Sequence, residues 1–220
     1  MSNKIYISKG NKKLAPTKKV RYMIFNLPAQ KTCPFATEMC KKSCYAKKAE
    51  RCYPSVLPSR ENSYNASLQD DFVFNMITAI DNMLKTPSYT KAQHVIFRIH
   101  ESGDFYSIEY VNKWKKIIEH FKHVKKLHFV AYTKSIDFFR IDNYWKNIEN
   151  VTILFSVWDD TPKNIVNEIM ENNLKYYTAC NSEVWKKLEN KKKCYCKNCS
   201  TCFKCFTNNV NYNNLYCEIH

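Results

Sequence analysis

The sequence predicts an α/β protein: a partial parallel (β/α) barrel with a cysteine-rich C-terminal extension. Three observations carry that expectation. Apolar segments of strand length alternate with segments of helical periodicity about five times along the chain, and such alternation makes the strands parallel with right-handed crossovers. Polar residues stand at the end of each expected strand, where parallel α/β folds collect their functional groups. A length of 220 residues, 45% hydrophobic and 15% aromatic, suffices for one domain with its own core. A doubly wound sheet is the alternative arrangement.

Residues 1–20 are basic and weakly patterned, a surface lead-in. Arg21 to Leu27 (RYMIFNL) is the first strand, and a cysteine-rich loop without periodicity runs from Cys33 to Cys52. The spacing of Phe72, Met76, Ile80 and Met83 predicts a long helix over Ser67 to Leu84. His94 to His100 is the second strand. Its alternation sends Phe97 and Ile99 toward the helices, and Arg98 and His100 toward the barrel interior. Ser107 caps a helix over Ile108 to Phe121 that carries one apolar stripe. Lys126 to Tyr132 is the third strand, Ile141 to Ile148 a short helix, and Val151 to Trp158 the fourth strand. Thr161 caps the next helix, with Pro162 at its first position and an apolar face reaching Leu174. Lys175 to Ala179 is the fifth strand, and a helix over Ser182 to Leu188 leads to the terminal cysteines. The barrel thus covers 21–190, and 191–220 is a metal-binding segment.

Composition narrows the function classes. Only 2 glycines and 7 prolines exclude collagen-like and flexible low-complexity chains. With 35 basic and 20 acidic residues the net charge is +15, which favours an anionic partner such as a nucleotide or nucleic acid. The N-terminus lacks a secretory apolar stretch, and the longest apolar run is too short to span a membrane. A cytoplasmic setting follows as the expectation, and in that reducing compartment the 11 cysteines are metal ligands or redox groups rather than disulfides.

Those cysteines fall into two groups. Cys33, Cys40 and Cys44 are spaced x6 then x3 in the loop after the first strand, with Cys52 further on. Three thiolates can hold a 4Fe-4S cluster and leave one iron open for a substrate or cofactor. Cys52 would close the site and make it structural. The terminal group contains Cys199, Cys202 and Cys205 in a Cys-x2-Cys-x2-Cys run, a spacing that wraps a short chain around a cubane, with Cys180 as the fourth ligand. Zinc is the alternative metal there. One or two clusters are therefore expected.

The strand ends supply the remaining candidates. Ser102, Gly103 and Asp104 follow the second strand, Tyr132 and Lys134 end the third, and Ser156 and Trp158 end the fourth. Gly103 is informative because glycine is so scarce: it either makes a tight turn or lets a ligand approach the backbone. Arg98 and His100, if turned inward, need partners or a charged ligand.

Taken together, TCPFATEMCKKSCYA, RIHESGDFYS, FVAYTKS and the final CxxCxxCF resemble the phage gene product 88 domain family, over about Phe25 to Phe206. That resemblance implies a phage or mobile-element origin rather than a mechanism. More distantly, the layout resembles radical S-adenosylmethionine enzymes. This second resemblance implies an open 4Fe-4S cluster on Cys33, Cys40 and Cys44, and an external electron donor. It implies that Ser102, Gly103 and Asp104 hold the methionine amino group, that Ser156 contacts the same cofactor, and that the terminal cysteines hold an auxiliary cluster. The cysteine spacing departs from that superfamily's Cys-x3-Cys-x2-Cys, and Tyr45 follows the third cysteine where an aromatic residue would normally precede it.

Two functions follow. In the first the protein is an enzyme whose substrate pocket is lined by Arg98, His100, Tyr132, Lys134 and Trp158, and the cofactor supplies the hard chemistry. In the second it is a non-catalytic iron-sulfur or zinc protein that binds nucleic acid. There Lys186, Lys187, Lys191, Lys192, Lys193, Lys197 and Lys204 meet phosphates, and Tyr195, Phe203 and Phe206 stack on bases.

Overall fold

The structure, a computed structural model, describes residues 5–140, 145, 148–187, 194, 199, 205 and 214–218. Six strands form a single all-parallel sheet in chain order: β1 (Val20–Phe25), β2 (His94–Ile99), β3 (Leu127–Thr133), β4 (Val151–Val157), β5 (Tyr176–Cys180) and β6 (Asn214–Glu218). The sheet curls into a half-barrel with helices against its outer face, the expected class. The helices described are α1 (Glu38–Lys42), α2 (Tyr45–Cys52), α3 (Val56–Leu68), α4 (Phe72–Leu84), α5 (Pro87–Thr90), α6 (Ile108–His120), α7 (Lys163–Glu171) and α8 (Ser182–Lys187).

Strand alternation sorts residues onto two faces. On the convex face Phe25, Phe97, Phe129 and Phe155 join Phe72, Met76 and Ile80 of α4 and Val111, Trp114 and Ile118 of α6 in the main core. Trp114 is its centre, with ring centroids 5.9 Å from Phe25, 6.1 Å from Phe72 and 5.4 Å from Phe97. On the concave face Tyr22, Ile24, Ile96, Val130 and Leu154 form a smaller apolar row. Leu14 of the lead-in packs onto that row, and Ser8 pairs with Ile24 in an antiparallel bridge. Part of the lead-in is thus built into the sheet.

Several boundaries differ from expectation for identifiable reasons. The helix expected over Ser67 to Leu84 is two helices. Ser67 turns its hydroxyl onto Tyr64 O (2.6 Å) and Tyr106 OH (2.8 Å), and Gln69 is extended before Asp71 starts α4. The Cys33–Cys52 loop contains α1 and α2, the first capped by Thr37, whose hydroxyl accepts from Cys40 N. Ser107 caps α6 as expected, accepting from Tyr110 N. Pro162, not Thr161, occupies the cap of α7, and the Thr161 hydroxyl accepts from Trp158 N at 2.8 Å. One 3-10 turn spans Ile136–Phe138, and most of the helix expected over Ile141 to Ile148 lies outside the described residues. The segment 191–220 adds β6 to the sheet, a strand that sequence periodicity did not reveal.

Candidate functional site at the carboxyl end of the sheet

β1 ends at Phe25 and delivers the chain into the cysteine loop across the carboxyl ends of β2, β3 and β4. Asn26 fixes this junction: its side-chain oxygen accepts from Glu101 N (2.8 Å) and Ser102 N (3.0 Å). Ser102 replies from the second strand's loop, its hydroxyl donating to Leu27 O at 2.9 Å and its own carbonyl accepting from Leu27 N at 2.9 Å. Gly103 has φ +84°, and a Cβ there would stand 2.6 Å from Leu27 Cβ and 2.6 Å from Thr32 Oγ1. The close approach that this glycine permits is made by the protein's own loop.

Asp104 is buried, and its carboxylate is engaged by three internal donors. Thr133 Oγ1 (2.6 Å) and Phe105 N (2.7 Å) reach one oxygen, and Lys134 N (2.9 Å) reaches the other. Burial raises its pKa, against the lowering effect of those hydrogen bonds. Ser102, Gly103 and Asp104 therefore clamp the β1, β2 and β3 ends together.

The cysteine loop is fastened at both ends. Glu50 of α2 accepts from Ala29 N (2.7 Å), Arg60 (3.0 Å) and Lys47 (3.2 Å). Burial pushes its carboxyl up, but these hydrogen bonds outweigh it and hold the pKa below the usual value. Asp160, after β4, accepts from Met39 N at 2.8 Å. Sequence reasoning missed Asn26, Glu50, Arg60 and Asp160. Only Glu50 carried a signal, as an acidic residue on the apolar side of an otherwise basic helix.

Cys33 and Cys40 interact with each other and with Lys134. Burial first, then the neighbouring Asp104 carboxyl, pushes the Cys33 thiol up to about 12. Cys44 is the N-cap of α2, and Cys52 is that helix's last residue. The eight-residue step from one thiol to the other corresponds to about 12 Å along the axis, which keeps Cys52 out of a site shared with Cys44. Lys134 lies near the Cys40 thiol, donates to Ser156 Oγ (3.2 Å) and lies 5.2 Å from the Trp158 ring centroid. Burial opposes its charge, but Tyr177, Cys40 and Asp104 outweigh that and raise its pKa. Ser156 is the hub: it donates to Tyr177 OH (2.7 Å) and accepts from Trp158 Nε1 (3.1 Å) as well as from Lys134.

A cavity of about 510 Å³ opens beside these groups. Pro34, Phe35 and Thr37 of the cysteine loop form one wall; Lys134, Ser156 and Ile165 stand opposite. Of the five expected pocket residues only Lys134 lines it. Arg98 and Tyr132 lie on the concave face, where the guanidinium carbon sits 3.6 Å from the Tyr132 ring centroid. His100 corrects the expectation outright. Its φ of +60° breaks the strand's alternation, and the ring turns to the helix side, stacked on Tyr110 and 2.8 Å from that hydroxyl. Burial, and then Arg98, lowers its pKa to about 3.

The terminal cysteines are described only in part. Cys202 lies outside the described residues. Cys180 pairs in register with Glu218, one position beyond Cys217, so it faces away from Cys217. The charged groups acting on it are Asp159 and Glu218. Among the described residues no three His, Cys, Asp or Glu side chains stand ready to hold one ion.

The fold and this mouth define a class: a parallel α/β half-barrel whose carboxyl-end cavity is lined by a half-buried lysine, Lys134, and walled on one side by the loop that carries Cys33 and Cys40. A family model described as Gene product 88 matches residues 5–208. The chain belongs to that phage family. It is 31% identical over 133 residues to the Gene 88 protein of Mycobacterium phage D29 and 30% identical over 133 residues to that of Mycobacterium phage L5. Each match covers 59% of this chain and 53% of the relative, so the chain spans about half the length of the curated relatives it matches. No solved structure matches. Among the described residues no helix is long and apolar enough to cross a membrane.

Proposed function

We propose that the carboxyl-end mouth is the working site of an iron-sulfur enzyme that acts on a small, anionic ligand. The observation that carries this reading is the placement of Cys33 and Cys40 against the Lys134 ammonium, in a loop that is also one wall of the cavity. What supports a 4Fe-4S cluster is the donor type: three thiols on one loop, two of them, Cys33 and Cys40, beside each other, with Cys52 held at the far end of α2. Cys33, Cys40 and Cys44 would hold the cluster, which supplies an iron with an open position for electron transfer or Lewis-acid chemistry. Lys134 offsets thiolate charge and offers a cation to a carboxylate or phosphate. Ser156 holds the ammonium in place, and Phe35, Ile165 and Ile169 keep water from the cavity wall.

S-adenosylmethionine, as cofactor beside the anionic substrate, is the first molecule to test; only its carboxylate could meet Lys134. With Ser102 and Asp104 committed to the protein's own backbone and side chains, its amino group would need other partners. The test is iron, sulfide and zinc per chain after anaerobic purification, followed by calorimetric titration with S-adenosylmethionine. The reading expects matched iron and sulfide, lost in Cys33→Ser. Zinc without sulfide would sink the enzyme and favour a zinc protein that binds nucleic acid through its basic surface.

A further inference from the structure

The amino ends of the strands, opposite the mouth, gather charge of one sign. Three connections meet there: the turn into β1, the α5 segment before β2, and the exit of α6 into β3. Residues 16–21, 85–94 and 120–126 hold eight Lys and Arg residues and no Asp or Glu. Some of these cations lace the edge together. Lys126 Nζ donates to Tyr89 O (2.9 Å) and Thr90 O (3.1 Å), and Arg21 Nε to Ser88 O (3.2 Å). The backbone is tied as well: Gln93 N and His94 N donate to Lys19 O at 2.9 and 3.0 Å, and Val95 N to Lys126 O at 2.7 Å. Lys122 pairs with Glu119 of α6. Lys18, Lys19, Lys91 and Lys125 are exposed, and among the described residues none of them is paired with a carboxylate. Lys13 stands apart: its carbonyl accepts from Cys199 N at 3.1 Å, and its side chain sits near Cys194, Cys199 and Cys217.

Register sets Val20 beside His94 and Val95 beside Leu127. Lys19 and Lys125 therefore rise two strand spacings apart, about 10 Å, or roughly three phosphate steps along one strand of a duplex. Helix C-termini attract lysine on their own account, and α4, α5 and α6 all end at this edge. That does not account for the set. Lys18 and Lys19 belong to no helix, and α7, which ends at the same edge, has no basic residue in its last turn and closes on Glu171. Glu149 and Glu171 border the patch on the β4 and β5 side. We propose that the edge over β1, β2 and β3 binds the sugar-phosphate backbone of duplex DNA without reading its sequence. Unpaired cations on a fixed backbone suit phosphates. The exposed large apolar side chains, such as Phe74 and Met170, all lie outside these three connections, so the edge offers neither an aromatic platform for a single strand nor a wedge for a lipid surface. The surface acts independently of what the mouth holds.

The full chain is titrated by fluorescence anisotropy against a labelled duplex of about 24 base pairs, at salt from about 50 to 200 mM. Four phosphate contacts predict an affinity loss of at least about 100-fold across that range. Lys18→Gln, Lys19→Gln, Lys91→Gln and Lys125→Gln together should lower the salt slope by about three to four and weaken binding at the lowest salt by at least about tenfold. Circular dichroism checks that the fold is kept. Removing the same charge at Lys186, Lys187, Lys191 and Lys192 should change affinity by no more than about threefold. The chain carrying Cys33→Ser and Cys40→Ser should bind the duplex as the unaltered chain does, which separates this edge from the mouth. The reverse ranking of the two lysine variants, or equal losses in both, overturns the proposal. So does tighter binding to a single strand or to phosphatidylserine vesicles than to the duplex, or a flat salt dependence.

Discussion

The two faces of the sheet are written in alternate residues of the same strands, yet they are different materials. The convex face places Phe97 against Trp114, Phe129 against Phe97 and Phe155 against Phe139, ring after ring at contact distance. The concave face answers from the neighbouring positions with Arg98, Tyr132, Ser156, Tyr177 and Cys217, linked by hydrogen bonds and a cation over a ring. Apolar contact is non-directional and stabilises at any good fit, whereas polar groups under cover must each find a partner. One face therefore carries stability, and the other can carry chemistry because it is not asked for stability.

The largest expected effect sharpens that contrast from the convex side. Trp114→Ala should cost about 3 to 5 kcal/mol in urea unfolding, the range for emptying a fully buried aromatic site. His100 gives the next effect, through pH. Its folded pKa, about 3, lies below the ordinary value near 6.5. Its contribution is complete above about pH 6.5 and is lost as pH falls toward 3, by at most roughly 5 kcal/mol. His100→Asn tolerates the left-handed backbone and should flatten this acid limb. An unchanged limb would place the titration elsewhere. Gly103→Ala should cost about 2 kcal/mol, from positive φ and the contacts with Leu27 and Thr32. Arg98→Met, on the concave face, should shift stability by no more than about 1 kcal/mol. A loss comparable with that of Trp114→Ala would break the contrast, because the inner face would then be core as well.

The strands were readable because β1 to β5 each carry a run of apolar residues longer than chance loops provide, and each observed boundary falls within about two residues of the expected one. What escaped had a physical cause. β6 is five residues after a cysteine run, with no periodicity of its own and its pairing supplied wholly by β5. The split between α3 and α4 depends on where the Ser67 hydroxyl points, which spacing does not reveal. His100 defeats alternation through one positive φ. At the site, cysteine identity was readable but orientation was not: that Cys180 and Cys217 face opposite sides of the sheet follows only from the register of β5 and β6. Lys134 and Ser156 were found by the strand-end rule, while Arg60 and Asp160 act from helices and loops that the rule does not reach.

The hydrogen bond from Cys199 to Lys13 joins the two ends of the described chain, and it bears on the order of assembly. The outer core draws on β1 to β4, α4 and α6, all made before β6 leaves the ribosome. The inner face is covered only when the last strand docks and the lead-in is held beneath it. Contacts so distant in sequence form late, since the intervening chain must be ordered first. A ribosome-stalled chain ending at Lys187 should therefore protect the Trp114 region from protease while leaving the lead-in around Lys13, which lacks its Cys199 partner, open to cleavage.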